Sequence, residues 1–354
     1  MLQAAAVTLS LFACAVGQQP VAADPWVVYE GGAGVGAGAR VVFVTGDEEY
    51  RSEQGMPQLA RILARLGCHC TVLFAIDPAT GAIDPGVRDN IPGLEALDDA
   101  DLMVLFTRFR DLPDAQMRHI VDYVQSGRPI VALRTATHAF AAAKHTKYAD
   151  WSWNGKQWDG GFGRQVLGET WIAHHGAHGS QSTRGVVAPG AEDHVILRGI
   201  APGAVWDPAD VYAVGLPLPA GCEPVLLGEV LAGMTPDSEP APATTDASTG
   251  AVQDLNAPRM PVAWTNTYRA PNGRAARVFA TTLGSSQAFL QAGTRRLLVN
   301  ACLWALGREA AITPDLDVSL AGAFAPTPFG FGTHQKGVRP ADLAWRPTAA
   351  PAAK

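Results

Sequence analysis

The sequence predicts an α/β protein with a doubly wound, mostly parallel sheet, and two observations carry that expectation. β-branched apolar runs of strand length alternate with amphipathic helical segments in the order β-α-β-β-α-β. One of those runs, residues 129–133, stops abruptly at a polar turn that carries Arg134, Thr135, Thr137 and His138. Ligands in open α/β sheets bind outside the carboxyl ends of the strands, so that turn lies in the right region for chemistry.

The elements follow in order. Residues 40–45 form a β-branched strand. Ser52-Glu53 opens a helix through Leu59, Ile62, Leu63 and Leu66, with Gly67 as its stop. Residues 68–74 and 101–107 are further strands. Asp111-Leu112-Pro113-Asp114 starts a second helix that places Met117, Ile120, Val121 and Val124 on one face and closes at Gly127. After residues 129–133 come a short helix around 162–167, strands at 211–216 and 224–231, and a polar Pro/Ala/Thr/Ser loop over 235–258. A strand pair at 260–267 and 276–283 turns at Pro271-Asn272-Gly273. A long helix then runs from Ser285-Ser286 to Gly307.

The ends of the chain read differently. Residues 1–23 are uncharged and rich in Ala, Leu and Val, and Val21-Ala22-Ala23 fits a small-residue cleavage pattern. That predicts a signal peptide and a secreted or periplasmic protein. Leu11-Phe12-Ala13-Cys14 only loosely matches a lipoprotein box, and no other run is long enough to span a bilayer. Residues 24–39 read as a linker, 40–310 as the folded domain and 311–354 as a Pro/Ala-rich tail that wraps the surface or frays. A net charge of −6 gives no basic footprint for nucleic acid, so the expected partner is a small polar or neutral ligand, with a homo-oligomer left open. Beyond Cys14, Cys68, Cys70, Cys222 and Cys302 permit disulfides without requiring any; Cys302 lies in an apolar helical pattern and reads as a core thiol.

Several motifs, weak singly and strong in their order, give the chain a family resemblance. They are Asp193-His194-Val195-Ile196, Asp210-Val211-Tyr212, Pro261-Val262-Ala263-Trp264, the run from Arg277 to Gly284, and the helix ending Asn300-Ala301-Cys302-Leu303-Trp304-Ala305-Leu306-Gly307. Together they resemble the ThuA-like (trehalose utilisation) family, relatives of class I glutamine amidotransferases. Gly46-Asp47-Glu48-Glu49-Tyr50-Arg51 and the tail around Phe329-Gly330-Phe331 resemble a secreted subgroup. The resemblance implies a flavodoxin-like sheet with inserted irregular loops, and chemistry on keto-type sugars or disaccharides. It does not imply glutaminase activity, because Thr135-Ala136-Thr137 stands where that nucleophile would be cysteine. Histidines common elsewhere in the family are replaced here by Ser285 and by Arg51-Ser52.

Three strand ends bring candidate residues to one edge. His138 is the expected general base, with Glu48 or Glu49 as its partner acid. Asp47, Tyr50, Arg51, Arg108 and Arg134 are expected to bind substrate, the arginines holding hydroxyls or a developing oxyanion. His174 and His175 read as substrate-facing, and Trp158, with Trp151 and Trp153, offers a flat face for a sugar ring. No metal or cofactor is expected; the weaker alternative is a metal-dependent hydrolase using His174, His175 and His178. Asp193-His194 reads as an acid–histidine pair or, preferably, a turn. The competing reading of the whole is a non-catalytic sugar-binding module on the same scaffold.

Overall fold

The computed structural model describes residues 24–142 and 147–347; the expected signal peptide, Cys14 and the last seven residues of the tail lie outside them. Its centre is a block of parallel strands. β1 (Trp26–Tyr29) is an edge strand, β2 (Arg40–Gly46) leads into helix α1 (Ser52–Arg65), and β3 (His69–Leu73) returns beside it. β4 (Leu102–Thr107), helix α2 (Asp114–Gln125) and β5 (Ile130–Leu133) follow. β6 (Trp171–His174), β7 (Ser182–Val187), β8 (Trp206–Asp207), β9 (Tyr212–Val214) and β10 (Glu223–Leu231) fill the middle of the chain. β11 (Thr244–Thr245) and β12 (Val252–Gln253) form a small ribbon, and β13 (Met260–Arg269), β14 (Ala275–Thr281) and helix α3 (Ala292–Ala305) complete the domain.

Ten strands join in one mixed sheet of order β1-β3-β2-β4-β5-β14-β13-β10-β7-β8. β3, β2, β4, β5 and β14 are mutually parallel, whereas β1 and the β13-β10-β7-β8 wing pair antiparallel. The sheet is therefore mixed rather than mostly parallel: the hairpin between β14 and β13 reverses chain direction and starts the antiparallel wing.

Alternation along the central strands divides the core in two. Val41, Phe43, Val104, Phe106, Val131 and Leu133 pack with Leu59, Ile62 and Leu63 of α1 and Leu297, Leu298 and Cys302 of α3. Val42, Val44, Met103, Leu105, Ile130 and Ala132 pack with Met117, Ile120, Val121 and Val124 of α2 on the opposite face. Strands covered on both sides must be apolar throughout, which is why these runs do not alternate with polar residues.

Four expectations change. Residues 24–39 are not only a linker, since β1 pairs with β3 across Trp26–Leu73 to Tyr29–Cys70. The loop over 235–258 contains the β11–β12 ribbon. The helix expected from Ser285 is broken into a 3-10 turn (Ser286–Leu290) and α3, because Gln291 is extended. The short helix near 162–167 is a single π turn, Gly163–Leu167. Cys68, Cys70, Cys222 and Cys302 are free thiols, and all but Cys222 are buried. Among the described residues no helix is long and apolar enough to cross a membrane.

Candidate functional site at the strand ends

Chain order places β3 on one side of β2 and β4 on the other, so the sheet reverses its direction of winding between β2 and β4. A crevice opens at the carboxyl ends of strands at such a point. The loops after β2 and β4 meet across it: Glu48 accepts from Arg108 at 3.0 Å and from Arg110 at 2.7 Å. Arg110 is buried and also donates to the carbonyls of Arg108, Pro85 and Val87. Burial lowers its pKa to about 10, while Glu48 pulls in the opposite direction.

Backbone strain concentrates at the same edge. Among the described residues the non-glycine positions with positive φ are Arg51 (62°), Phe109 (48°) and Arg134 (46°), which follow β2, β4 and β5. Each such conformation costs on the order of 1–3 kcal/mol and persists only where surrounding contacts fix it. Arg51 is fixed by the carbonyls of Glu49 and Gly330 and by the Thr333 hydroxyl. Arg134 is fixed by the carbonyls of Asp210 and Thr282, each at 2.7 Å, by Tyr50 Oη and Asp210 Oδ1, each at 3.1 Å, and by the faces of Tyr50 and Tyr212.

The three acids after β2 have separate fates. Asp47 is fully buried; it accepts from the amides of Glu49 and Tyr50 and from Thr135 Oγ1 at 2.7 Å, which ties the end of β2 to the end of β5. Glu48 is taken by the two arginines. Glu49 is left facing His178, with Oε1 3.0 Å from Nε2. Burial, then the neighbouring Asp47 charge, raises the Glu49 pKa against the opposing pull of His178, Arg108 and Arg134.

Asp210, in the loop between β8 and β9, is the centre of the cluster. His174 Nδ1 lies 2.7 Å from its Oδ2 and His178 Nδ1 lies 3.0 Å from its Oδ1. Burial alone would raise this carboxyl, but the His174 hydrogen bond, the Arg134 charge and the His178 hydrogen bond hold it at about 2. Among the described residues, His174, His178 and Asp210 are the one group of three His, Cys, Asp or Glu side chains whose donor atoms converge as a metal requires, within 4.8 Å of one another. Phe329 of the tail lies against one side of the cluster, its ring 5.4 Å from both Tyr50 and His178.

Other expected residues go elsewhere. The 3-10 turn Arg134–His138 rotates His138 inward, where Phe109, Trp171 and Tyr212 enclose its ring and Thr137 Oγ1 lies 3.2 Å from Nδ1. Burial, and then Arg108, Arg134 and His174, push its pKa well below the usual range, so its protonated form is disfavoured. His138 is thus buried in an aromatic enclosure, while Glu49 faces the histidine cluster. Tyr50 binds Arg134 and Tyr212, and burial raises its pKa; Arg51 joins the tail. His175 turns away to the Leu255 carbonyl at 2.8 Å, so it cannot complete a set with His174 and His178. Trp158 lies tilted against Trp151, ring centroids 5.0 Å apart, in a separate cleft of about 620 Å³ that also contains Tyr268; Trp153 and Trp171 are the tryptophans that reach the His138 wall. His194 accepts from the Ile196 amide, so Asp193-His194 is a turn. The elbow is occupied by buried Thr135 and Thr137.

Asp210 was quoted in a motif without a role, and Phe329 had none. No local pattern links Asp210 to residues 174 and 178; the available signal was a pair of aspartates, Asp207 and Asp210, in an otherwise apolar segment.

The model of the ThuA family, described as trehalose utilisation, matches residues 40–305. Among solved structures, a ThuA-like protein from Parabacteroides merdae is 16% identical, covering 76% of this chain and 90% of its own, with a TM-score of 0.43. Another from Bacteroides uniformis is 15% identical, covering 79% and 98%, with a TM-score of 0.40. No curated protein matches the chain. With the family pattern extending from the first central strand through α3, the chain belongs to the ThuA family.

Proposed function

We propose that this protein acts on carbohydrate, a keto-sugar or disaccharide, at the β2–β4 crevice, with Glu49 as the group that carries the proton. The family's description concerns trehalose utilisation, which supplies the substrate class. One observation carries the chemistry: of the three acids after β2, only Glu49 is engaged neither by a cap nor by an arginine pair, and it faces the histidine cluster. A carboxylate held against a sugar carbonyl or hydroxyl can move a proton there, and Arg108, partly buried and paired with the neighbouring Glu48, can steady the developing oxyanion. On this reading the parallel block is a flavodoxin-like, doubly wound core whose helices cover both faces. The setting is extracytoplasmic, following the signal-peptide pattern of residues 1–23.

The test is turnover of keto-disaccharides and their parent sugars by wild type and Glu49→Gln. Loss of about 10²–10⁴-fold in kcat with an unchanged circular dichroism spectrum supports the role. Equal rates, or no turnover across the panel, remove it.

The separate aromatic cleft favours a second reading, a sugar-binding module without chemistry. Trp151, Trp158 and Tyr268 supply flat faces there, away from the acid–histidine cluster. That reading requires saturable glycan binding that Trp158→Ala abolishes and Glu49→Gln leaves intact.

A further inference from the structure

We propose that His174, His178 and Asp210 form a binding site for one divalent first-row transition-metal ion, with Glu49 and Arg134 as the groups that orient its ligands. Two histidines and one carboxylate are a donor set such ions accept. Three independent features of the geometry support it.

The first is convergence. Both histidines turn the same nitrogen, Nδ1, toward the Asp210 carboxylate, at 2.7 and 3.0 Å. Metal bonds of about 2.0–2.2 Å in a tetrahedral arrangement place neighbouring ligand atoms about 3.3 Å apart; the two histidine–carboxylate distances are a few tenths of an ångström shorter, and the three donor atoms all lie within 4.8 Å of one another.

The second is the outer shell. A ligating histidine usually donates its other ring nitrogen to a carboxylate, and a ligating carboxylate is itself hydrogen-bonded. His178 presents Nε2 to Glu49 at 3.0 Å while Nδ1 faces Asp210. Asp210 Oδ1 is held by Arg134 at 3.1 Å and its backbone carbonyl by the same guanidinium at 2.7 Å. Arg134 therefore anchors Oδ1, which also faces His178, and leaves Oδ2, nearest His174, as the oxygen free of arginine.

The third is access. The His174 and His178 side chains are 43% and 36% exposed, whereas Asp210 is fully buried. A rigid buried carboxylate forms the floor and two solvent-facing imidazoles form the rim, so an ion can enter. Three protein ligands leave a coordination position for water or a substrate oxygen, the arrangement of catalytic rather than structural sites. His175, bound to the Leu255 carbonyl, takes no part.

The experiment uses the full chain produced without a polyhistidine tag, stripped by chelator and titrated with zinc against a chromophoric competitor. One zinc per chain is expected, with a micromolar or tighter Kd. His174→Ala and His178→Ala each weaken binding at least 100-fold. Glu49→Gln weakens it about 10–100-fold, as loss of an orienting partner does. His175→Ala leaves the affinity unchanged. Asp210 is not the test position, because its loss strands buried Arg134 and can unfold the chain; the two rim histidines keep the result interpretable. Absence of stoichiometric zinc, or wild-type affinity in His174→Ala or His178→Ala, overturns the proposal. No sugar enters this measurement, so metal binding and the carbohydrate reading can fail separately.

Discussion

Arg134 shows how much one buried side chain organises. Its guanidinium is wholly buried, donates to Asp210, Thr282 and Tyr50, and lies against the rings of Tyr50 and Tyr212. A planar fork that stays charged is suited to such a set, and lysine could not reproduce it. Replacing it by methionine leaves the Asp210 carboxylate buried without its cation. We expect Arg134→Met to lower unfolding free energy by about 3–5 kcal/mol in urea titrations. A loss below about 1 kcal/mol would show that Asp210 finds compensation from the histidines alone. The sequence marked Arg134 because it follows an apolar strand directly. It gave no sign that the partner is Asp210, 76 positions later, since an ion pair formed between loops leaves no local periodicity.

At the level of elements, the site is assembled by turns as much as by strands. The 3-10 turn after β5 and the π turn Gly163–Leu167 meet so closely that a Cβ on Gly163 would lie 2.1 Å from the Thr137 carbonyl oxygen. Backbone cannot yield there as a flexible side chain can. Gly163→Ala is expected to cost about 1–3 kcal/mol or more by overpacking, read as a fall in the urea midpoint; an unchanged midpoint would mean that the two turns separate freely. The strands and α1 and α2 were legible because their apolar periodicity survives in any context. The break at Gln291 was not, because Ser285 and Ser286 offer a good helix start in sequence. In the fold, Asp207 takes the Ser285 hydroxyl and the amides of Gly284 and Ser285, which fixes the start of the 3-10 turn; the turn then ends at the extended Gln291.

At the scale of the molecule, the tail is part of the domain. Residues of 317–333 take hydrogen bonds from Arg51, Arg65 and Arg295, and the Gly330 amide donates to the Glu49 carbonyl. Glu53, at the start of α1, is enclosed with Pro57, Arg61, Phe324, Pro326 and Leu343 around a cavity of about 320 Å³, and its carboxylate oxygens have no partner. Burial raises its pKa to about 7 from an ordinary value of 4.5. The folded chain thus holds this proton more tightly than the unfolded chain, so the stabilisation is complete below pH 4.5 and is lost as pH rises to 7. The two values correspond to about 3 kcal/mol. Relative to Glu53→Gln, wild type should lose roughly that much between pH 4.5 and pH 8 in urea titrations, and parallel curves for the two proteins would refute it.

What the sequence determined by itself was the alternation of strands and helices, the edge of the sheet where polar residues gather, and the family. Each depends on local pattern or on motif order, which survive without tertiary contacts. Only the tertiary structure decided which of those polar residues come together and which are buried or paired. It sent His138 into an aromatic enclosure, spent Asp47 and Glu48 on caps and ion pairs, and turned His175 away to the Leu255 carbonyl. It also brought Asp210 and Phe329 from distant loops onto Glu49 and His178. The reason is that a strand ending fixes where a side chain begins, whereas burial and the partners supplied by other loops fix where it points and which charge it carries.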